Sequence, residues 1–182
     1  MPYGKTKGSA FEREICRDIT KAFSVLGIKT QDAYRSILSG GHKDSFGDIS
    51  MSSKLARMFP YGPECKTYKS IDLNLLYIPW RKMSKASWFK KWWKQTLAGA
   101  EKCKRGPLLI FKANQKQILC AVSLSAAEQF EKARLVNSMR SLPHMVLFHR
   151  EEEIWVCNWQ SFLLACVESE KFRKHNKKDK HL

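Results

Sequence analysis

Apolar residues recur every three to four positions between residues 8 and 26, and this spacing predicts an amphipathic helix. Phe11, Ile15 and Ile19 fall on one face of it, and charged side chains occupy the remainder. Gly27 follows as a stop signal. The chain is therefore expected to open with a helix that buries one face against a sheet.

Shorter apolar stretches bounded by turn-forming residues predict strands at about 46–52 and 62–68, and a second long helix is predicted at 84–103. The other predicted elements are a hairpin of strands at 108–112 and 117–123, a helix at 125–136, strands at 145–149 and 153–157, and a helix at 159–168. This order of elements indicates an α/β or α+β fold around a mixed central sheet.

The length of 182 residues suits a single domain, which we place at residues 1–170 with a short basic arm at 1–7. Residues 171–182 are rich in lysine and are expected to form a disordered tail. No stretch is long and apolar enough for a membrane helix or a signal peptide, so we expect a soluble protein of the cytoplasm. If the gene is viral, this would be the host cytoplasm.

The charge balance is the first indication of a partner. Lys and Arg total 33 against 17 Asp and Glu, a net charge of +16. Solubility alone requires a net charge of only about 2 to 8 in a small domain. Such an excess attracts a polyanion, either DNA, RNA or an anionic membrane surface. Nucleic acid is the partner we expect.

Cysteines and tryptophans do not add a separate site. The six cysteines include no C-x-x-C pair, which leaves a zinc ribbon or finger unsupported. Trp88, Trp92 and Trp93 could stack on bases. Their helical spacing is more typical of core or of a dimer surface, which we prefer.

Three acids and a lysine stand where they could form one site. Glu12 lies on the first predicted helix, Asp48 on the strand at 46–52, and Glu64 and Lys66 on the strand at 62–68. Side chains alternate along a strand, so Glu64 and Lys66 share a face and Cys65 turns to the other. If these two strands pair, Asp48 can approach Glu64.

This set of groups suits hydrolysis of a phosphodiester. Mg²⁺ prefers oxygen ligands, which Asp48, Glu64 and the backbone carbonyl of Cys65 would supply, and Mn²⁺ would substitute for it. The ion would activate water and stabilise the leaving oxygen. Lys66 would position or deprotonate that water, or stabilise the charge of the transition state.

Plainer explanations exist for the same residues. A Glu-x-Lys on a strand is commonly a solvated face or an ion pair. Ser9 with Glu12 three residues later is also spaced as a capping box, which would account for Glu12 without catalysis. The order of these motifs in a chain of charge +16 favours the catalytic interpretation.

The motifs resemble those of a known superfamily. Asp48 followed by Glu64-Cys65-Lys66 is similar to the PD-(D/E)XK nuclease motif, although Gly47 stands where proline is usual. Residues 7–13, K-G-S-A-F-E-R, resemble the opening of the archaeal-type Holliday junction resolvases. Arg35, Ser39 and Gly40 resemble a stretch of the same family, and the resemblance covers about residues 5–125.

The resemblance implies a restriction-endonuclease-like fold, with a mixed five-stranded sheet flanked by helices, that works as a homodimer on four-way DNA junctions. It makes Glu12 a catalytic acid and Ser39 a loop residue that assists cleavage. Basic residues flanking the proposed site are candidates for DNA backbone contacts: Lys5, Lys7, Arg13, Arg35, His42, Lys43 and Lys69.

Two alternatives remain open. A nuclease of the same fold acting on ordinary or damaged duplex would have the same site chemistry. A non-catalytic DNA-binding module would bind junction or duplex tightly without a Mg²⁺-dependent product. The stretch at residues 7–13 favours the resolvase.

Overall fold

The computed structural model describes residues 3–36, 47–113, 116–125, 142–149 and 152–178. Helix α1 (Tyr3–Phe23) is followed by a 3₁₀ turn and by Gly27, whose φ of 80° ends the segment. Phe11, Ile15 and Ile19 are buried, which confirms the predicted apolar face.

Helix α1 begins earlier than predicted. It starts at Tyr3 rather than at residue 8, so most of the segment predicted as an arm is helical. A helix held by tertiary packing extends at little cost, because nucleation is the expensive step. Ser9 consequently lies inside the helix, and the predicted capping box at Ser9 and Glu12 is wrong.

The central sheet has five strands in the order β3-β4-β5-β7-β6. Strands β3 and β4 are parallel, and the other neighbours are antiparallel. Their bounds are Tyr61–Tyr68 for β3, Gly106–Ala113 for β4, Leu119–Ser123 for β5, His144–His149 for β6 and Glu152–Asn158 for β7. This mixed sheet flanked by helices confirms the predicted α/β fold class.

A second, two-stranded sheet holds Asp48 in place. Strand β1 (Ala33–Arg35) pairs antiparallel with β2 (Ile49–Met51). The strand predicted over 46–52 is therefore shorter than expected, and its observed partner is β1 rather than the strand at 62–68 whose pairing would have brought Asp48 to Glu64. Gly47 has a φ of 75°, which bends the chain out of an extended conformation just before β2.

Helix α2 (Ser53–Met58) is short, and helix α3 covers the central sheet. Helix α3 runs from Trp88 to Cys103 and begins four residues later than predicted, because the Ser87 side chain accepts a hydrogen bond from the Lys90 backbone and caps it. Trp92 and Trp93 are buried against the sheet, which confirms the core interpretation for them.

The last helix, α4 (Trp159–Lys178), continues past the predicted end at residue 168 and through most of the predicted tail. Arg173 bonds Glu170 within this extension, and Lys174 donates to the carbonyl of Leu26. The division into a domain and a tail at residue 170 remains a prediction. The predicted helix at 125–136 lies almost wholly outside the described residues.

The sheet separates two apolar clusters. Alternation along β4 sends Leu108 and Ile110 toward α1 and α4, and Leu109 and Phe111 toward α3. All six cysteines are free, and every one except Cys103 is buried. Within the described residues, every helix is too short or too polar to reach across a lipid bilayer.

Candidate active site

Asp48 is fixed against the outer edge of strand β3. Its backbone N–H donates to the carbonyl of Pro63 at 3.1 Å, and its Oδ2 accepts from the backbone N–H of Cys65 at 2.7 Å. The preceding Gly47 allows this approach, since a Cβ there would lie 3.1 Å from the Pro63 oxygen. A proline at position 47, with φ fixed near −65°, could not take this conformation.

The carbonyl of Cys65 lies on the same edge as Asp48. Strand β3 is at the end of the described sheet, with β4 on its other side. A residue in a strand directs its N–H and C=O to the same side. Because the Cys65 N–H meets Asp48, the Cys65 oxygen also points away from β4 and toward Asp48.

Glu64 and Lys66 share one face of β3, as predicted. Lys66 Nζ lies 2.6 Å from Glu64 Oε1. The Glu64 side chain is only 8% exposed and that of Lys66 is 21% exposed. A buried carboxylate requires such a partner, so the lysine offsets part of the cost of burying Glu64.

Glu12 meets the small sheet. The Arg35 guanidinium of β1 donates through Nε to Glu12 Oε2. Glu12 is buried, whereas the Arg35 side chain is 38% exposed. A Cβ built at Gly8, one turn earlier, would lie 3.7 Å from Glu12 Oε1, which is an ordinary van der Waals contact, so the carboxylate does not require glycine there.

The three acids are close enough to influence one another. Burial, and then the negative charges of Glu64 and Glu12, raise the pKa of Asp48 to about 7, although the Cys65 N–H and Lys66 act in the opposite direction. Burial also raises the pKa of the Cys65 thiol well above its ordinary value, with further contributions from Asp48 and Glu64. The site thus concentrates negative charge in a region that is partly shielded from water.

That arrangement fits a hard divalent cation. Two carboxylates that repel each other and a backbone oxygen on the same edge are the kind of donor set that Mg²⁺ takes. Among the described residues there is no group of three or more His, Cys, Asp or Glu side chains placed to hold a metal. The predicted ligand set contains only two such side chains, Asp48 and Glu64.

The residues predicted to contact DNA have different positions. Arg13 and Lys69 are exposed, on α1 and just after β3, and Arg35 is engaged with Glu12. Lys5 and Lys7 belong to the first turns of α1. Ser39, His42 and Lys43 lie outside the described residues, so their predicted roles remain predictions.

One contact near the site was missed from the sequence. Lys112 of β4 is 2.5 Å from Glu14 Oε2, and its Nζ lies 4.9 Å from the centre of the Phe11 ring. It therefore ties the turn of α1 that carries Glu12 to the central sheet. These partners are 98 residues apart, and no local pattern connects them.

Comparisons with known proteins found a family model and a phage protein that match the chain. A family model described as "Phage putative PDDEXK endonuclease" matches residues 3–173. Protein D14 of Escherichia phage T5 is 29% identical over 119 residues, or 64% of this chain. The match spans 66% of that protein, slightly under two thirds of its length. No solved structure matches the chain.

Proposed function

We propose that the chain, which belongs to the phage PD-(D/E)XK endonuclease family, resolves four-way DNA junctions by metal-dependent hydrolysis. In this proposal it acts as a homodimer that makes paired symmetric nicks. An endonuclease of this family binds DNA, which agrees with the net charge of +16.

The observation that carries the proposal is the convergence of distant residues on one edge of the sheet. Asp48 Oδ2 accepts a hydrogen bond from the backbone N–H of Cys65, next to Glu64. Lys66 forms an ion pair with Glu64, and Glu12 is close enough to raise the pKa of Asp48. A capping role no longer competes for Glu12, because Ser9 lies inside the helix.

In the proposed mechanism, Asp48, Glu64 and the Cys65 carbonyl would hold the metal. When bound, Mg²⁺ supplies a Lewis acid that activates water and neutralises charge on the phosphate. The Cys65 N–H keeps one oxygen of Asp48 in a fixed direction. Lys66, two residues from Glu64 on the same face, orients the attacking water or stabilises the charged transition state, and a role as the base would require its neutral amine.

Of the other predicted residues, Glu12 keeps the role of a catalytic acid that the resemblance gives it, and the basic residues act on position. Arg35 holds the Glu12 carboxylate in one orientation through its Nε. The resemblance to the resolvases gives Ser39 a role that assists cleavage. His42 and Lys43 are candidates for contacts with the DNA backbone because they flank the proposed site in the sequence. Lys5, Lys7, Arg13 and Lys69 would neutralise phosphates around the cut site.

The choice of a junction rests on two arguments. The stretch K-G-S-A-F-E-R resembles the resolvases and includes the acid that lies at this site. A four-way junction has two-fold symmetry, so a two-fold dimer would present one site to each of two equivalent strands. Recognition would then depend on shape and phosphate positions rather than on base sequence.

Incubation with a labelled four-way junction and with a linear duplex of matching sequence tests the proposal, with and without Mg²⁺. We expect paired nicks in the junction alone, only with the metal. Equal cutting of the junction and the duplex would instead indicate an endonuclease that acts on ordinary duplex DNA. Tight binding without any product would indicate a non-catalytic module.

Two substitutions test the site itself. Asp48→Asn and Lys66→Ala are each expected to abolish cleavage while junction affinity is retained, because they remove a metal ligand and the group that handles the water. Band-shift titrations and single-turnover cleavage measure the two quantities. Glu168→Gln, at an exposed acid on α4, is the matched control and should cut normally. Retained cutting by Lys66→Ala would remove that lysine from the mechanism.

A further inference from the structure

A cleft of about 370 Å³ lies between the small sheet and the end of α3. Strands β1 and β2 contribute Tyr34 and Ser50 to its lining, and the end of α3 and the start of β4 contribute Lys102 and Arg105. Gly62 of β3 forms part of the lining between them. None of these residues has a role in the mechanism described above.

The cleft is next to the candidate active site. Its lining includes Ile49, the residue after Asp48. Gly62 is two residues before Glu64, so the two positions share a face of β3 about 6.6 Å apart. Successive phosphates of one DNA strand rise by about 3.4 Å along the helix axis. A DNA strand that runs along β3 from Asp48 and Glu64 toward Gly62 would reach this cleft within about two nucleotides.

The local sequence brings the two cations to this place. Gly62 has no Cβ, and one built there would lie 3.0 Å from Cys103 Sγ and 3.6 Å from the Arg105 Cβ. The end of α3 consequently lies directly against the strand that carries Glu64. Lys104 then takes a left-handed conformation (φ 53°) and turns the chain into β4.

The chemistry of the lining suits a nucleic-acid backbone. Its charged residues, Lys102 and Arg105, are both cations, and Glu101 on the same turn is not part of the lining. Tyr34 is 50% exposed, which leaves its ring available to a sugar or a base. Ser50 adds a hydroxyl group, a common donor to phosphate oxygens.

We propose that this cleft binds the phosphate backbone of the DNA strand beside the scissile bond, with Lys102 and Arg105 contacting phosphates and Tyr34 packing on a sugar or base. The inference rests on the DNA endonuclease part of the proposed function and not on the preference for junctions. It adds a positioning site to the metal site.

The test compares two double variants with the same change of charge. Lys102→Gln with Arg105→Gln changes the cleft, and Lys91→Gln with Lys94→Gln changes the exposed side of the same helix. Binding of a labelled duplex and a labelled junction is measured without metal over a range of KCl concentrations. Thermal unfolding of each variant accompanies the titrations, because cations in the last turn also stabilise a helix end.

We expect the cleft variant to reduce the slope of log K against log salt by about 1.8, the value for two lost phosphate contacts. The control pair should keep the slope of the unchanged protein. Tyr34→Ala should weaken binding at every salt concentration with an unchanged slope, since it removes no charge.

Equal slopes for the cleft variant and the unchanged protein would overturn the proposal. Equal losses in the two double variants would also overturn it, because they would mean a general effect of charge. If the unchanged protein cuts duplex and junction alike, the junction proposal fails while the slope comparison still decides the cleft. If it binds no DNA at all, both proposals fail.

Discussion

At the scale of single residues, the pair of Glu12 and Arg35 connects the first helix to the small sheet. Glu12 is buried and would be costly to ionise without a partner, and the Arg35 guanidinium donates to it through Nε. We therefore assign to Arg35 a role that acts through Glu12. This differs from the sequence-based expectation that Arg35 contacts DNA directly.

A double-mutant cycle separates these roles. Glu12→Gln should slow single-turnover cleavage by roughly 10²-fold or more, the usual size of an acid–base contribution. If Arg35 acts only through Glu12, adding Arg35→Gln should cause no further loss, and junction affinity should stay constant. Arg35→Lys should retain part of the rate. Losses that multiply in the double variant would instead support an independent contact with DNA.

Asp18 and Asp32 provide a pair of opposite titrations. Burial raises the pKa of Asp18, although Trp159 and Gln160 both donate to its Oδ2. Hydrogen bonds from the Ser52 side chain and the Lys29 backbone lower the pKa of Asp32. The folded state therefore disfavours the charge on Asp18 and favours the charge on Asp32.

The two Asn substitutions should accordingly diverge with pH. As pH rises from about 3.9, the usual Asp pKa, through the higher pKa of Asp18 in the folded state, ionisation of Asp18 reduces the free energy of unfolding. Over this range the stability of Asp18→Asn should therefore increase relative to that of the unchanged protein. Ionised Asp32 contributes stability that is present above its usual pKa and is lost as pH falls. The stability of Asp32→Asn should therefore decrease relative to that of the unchanged protein as pH rises. Urea unfolding between pH 3 and pH 7 measures both trends, and parallel trends would contradict this account.

At the scale of elements, the close approach of α3 to β3 fixes the geometry on one side of the active site. Gly62 meets Cys103 and Ala100 of that helix, and a Cβ would lie 3.0 Å from Cys103 Sγ. In contrast, Gly99 on the same helix has open space, with nothing within 4 Å of an added Cβ. The two glycines therefore serve different purposes.

Alanine at these two positions should have opposite effects on stability. Gly62→Ala forces the helix or Cys103 to shift and should cost about 1–3 kcal/mol in free energy of unfolding. Gly99→Ala should add about 0.5–1 kcal/mol, because glycine is a poor helix former. Chemical denaturation measures both. Cys103→Ala should recover part of the Gly62→Ala loss, and no recovery would show that the crowding lies elsewhere.

At the scale of the whole molecule, the basic C-terminal segment has two parts. Arg173 is ion-paired with Glu170, whose side chain is only 3% exposed, so this part of α4 contributes to the fold. The sequence after Lys174 adds further lysines to a chain of net charge +16. The segment predicted as a single basic tail, residues 171–182, is therefore tested in two parts.

Two truncations test this division. Ending the chain after His175 should reduce the salt slope of DNA binding, because Lys177, Lys178 and Lys180 are lost. Ending it after Glu170 should in addition destabilise the protein by about 3 kcal/mol or more, since a buried carboxylate loses its partner. A salt slope unchanged by the shorter truncation would show that the end of the chain does not contact DNA.

The sequence by itself determined the fold class, the buried face of α1 and the shared face of Glu64 and Lys66. Helical spacing marked Phe11, Ile15 and Ile19, and strand alternation placed Glu64 and Lys66 together, because both patterns depend only on backbone geometry. The net charge and the resemblance of Asp48, Glu64 and Lys66 to a nuclease motif indicated the chemistry, and the family match agrees with it.

Only the tertiary structure decided how these residues meet. Asp48, just before strand β2 of the small sheet, is held at the edge of β3 by two hydrogen bonds, one through its backbone N–H and one through its side chain. Strand β2 itself pairs with β1. The ion pairs of Arg35 with Glu12 and of Lys112 with Glu14 join residues that are 23 and 98 positions apart in the sequence. Local sequence propensity carries no information on such contacts. They form when folding buries charges that are remote in the sequence, because an unpaired charge is costly in the low-dielectric interior of the protein.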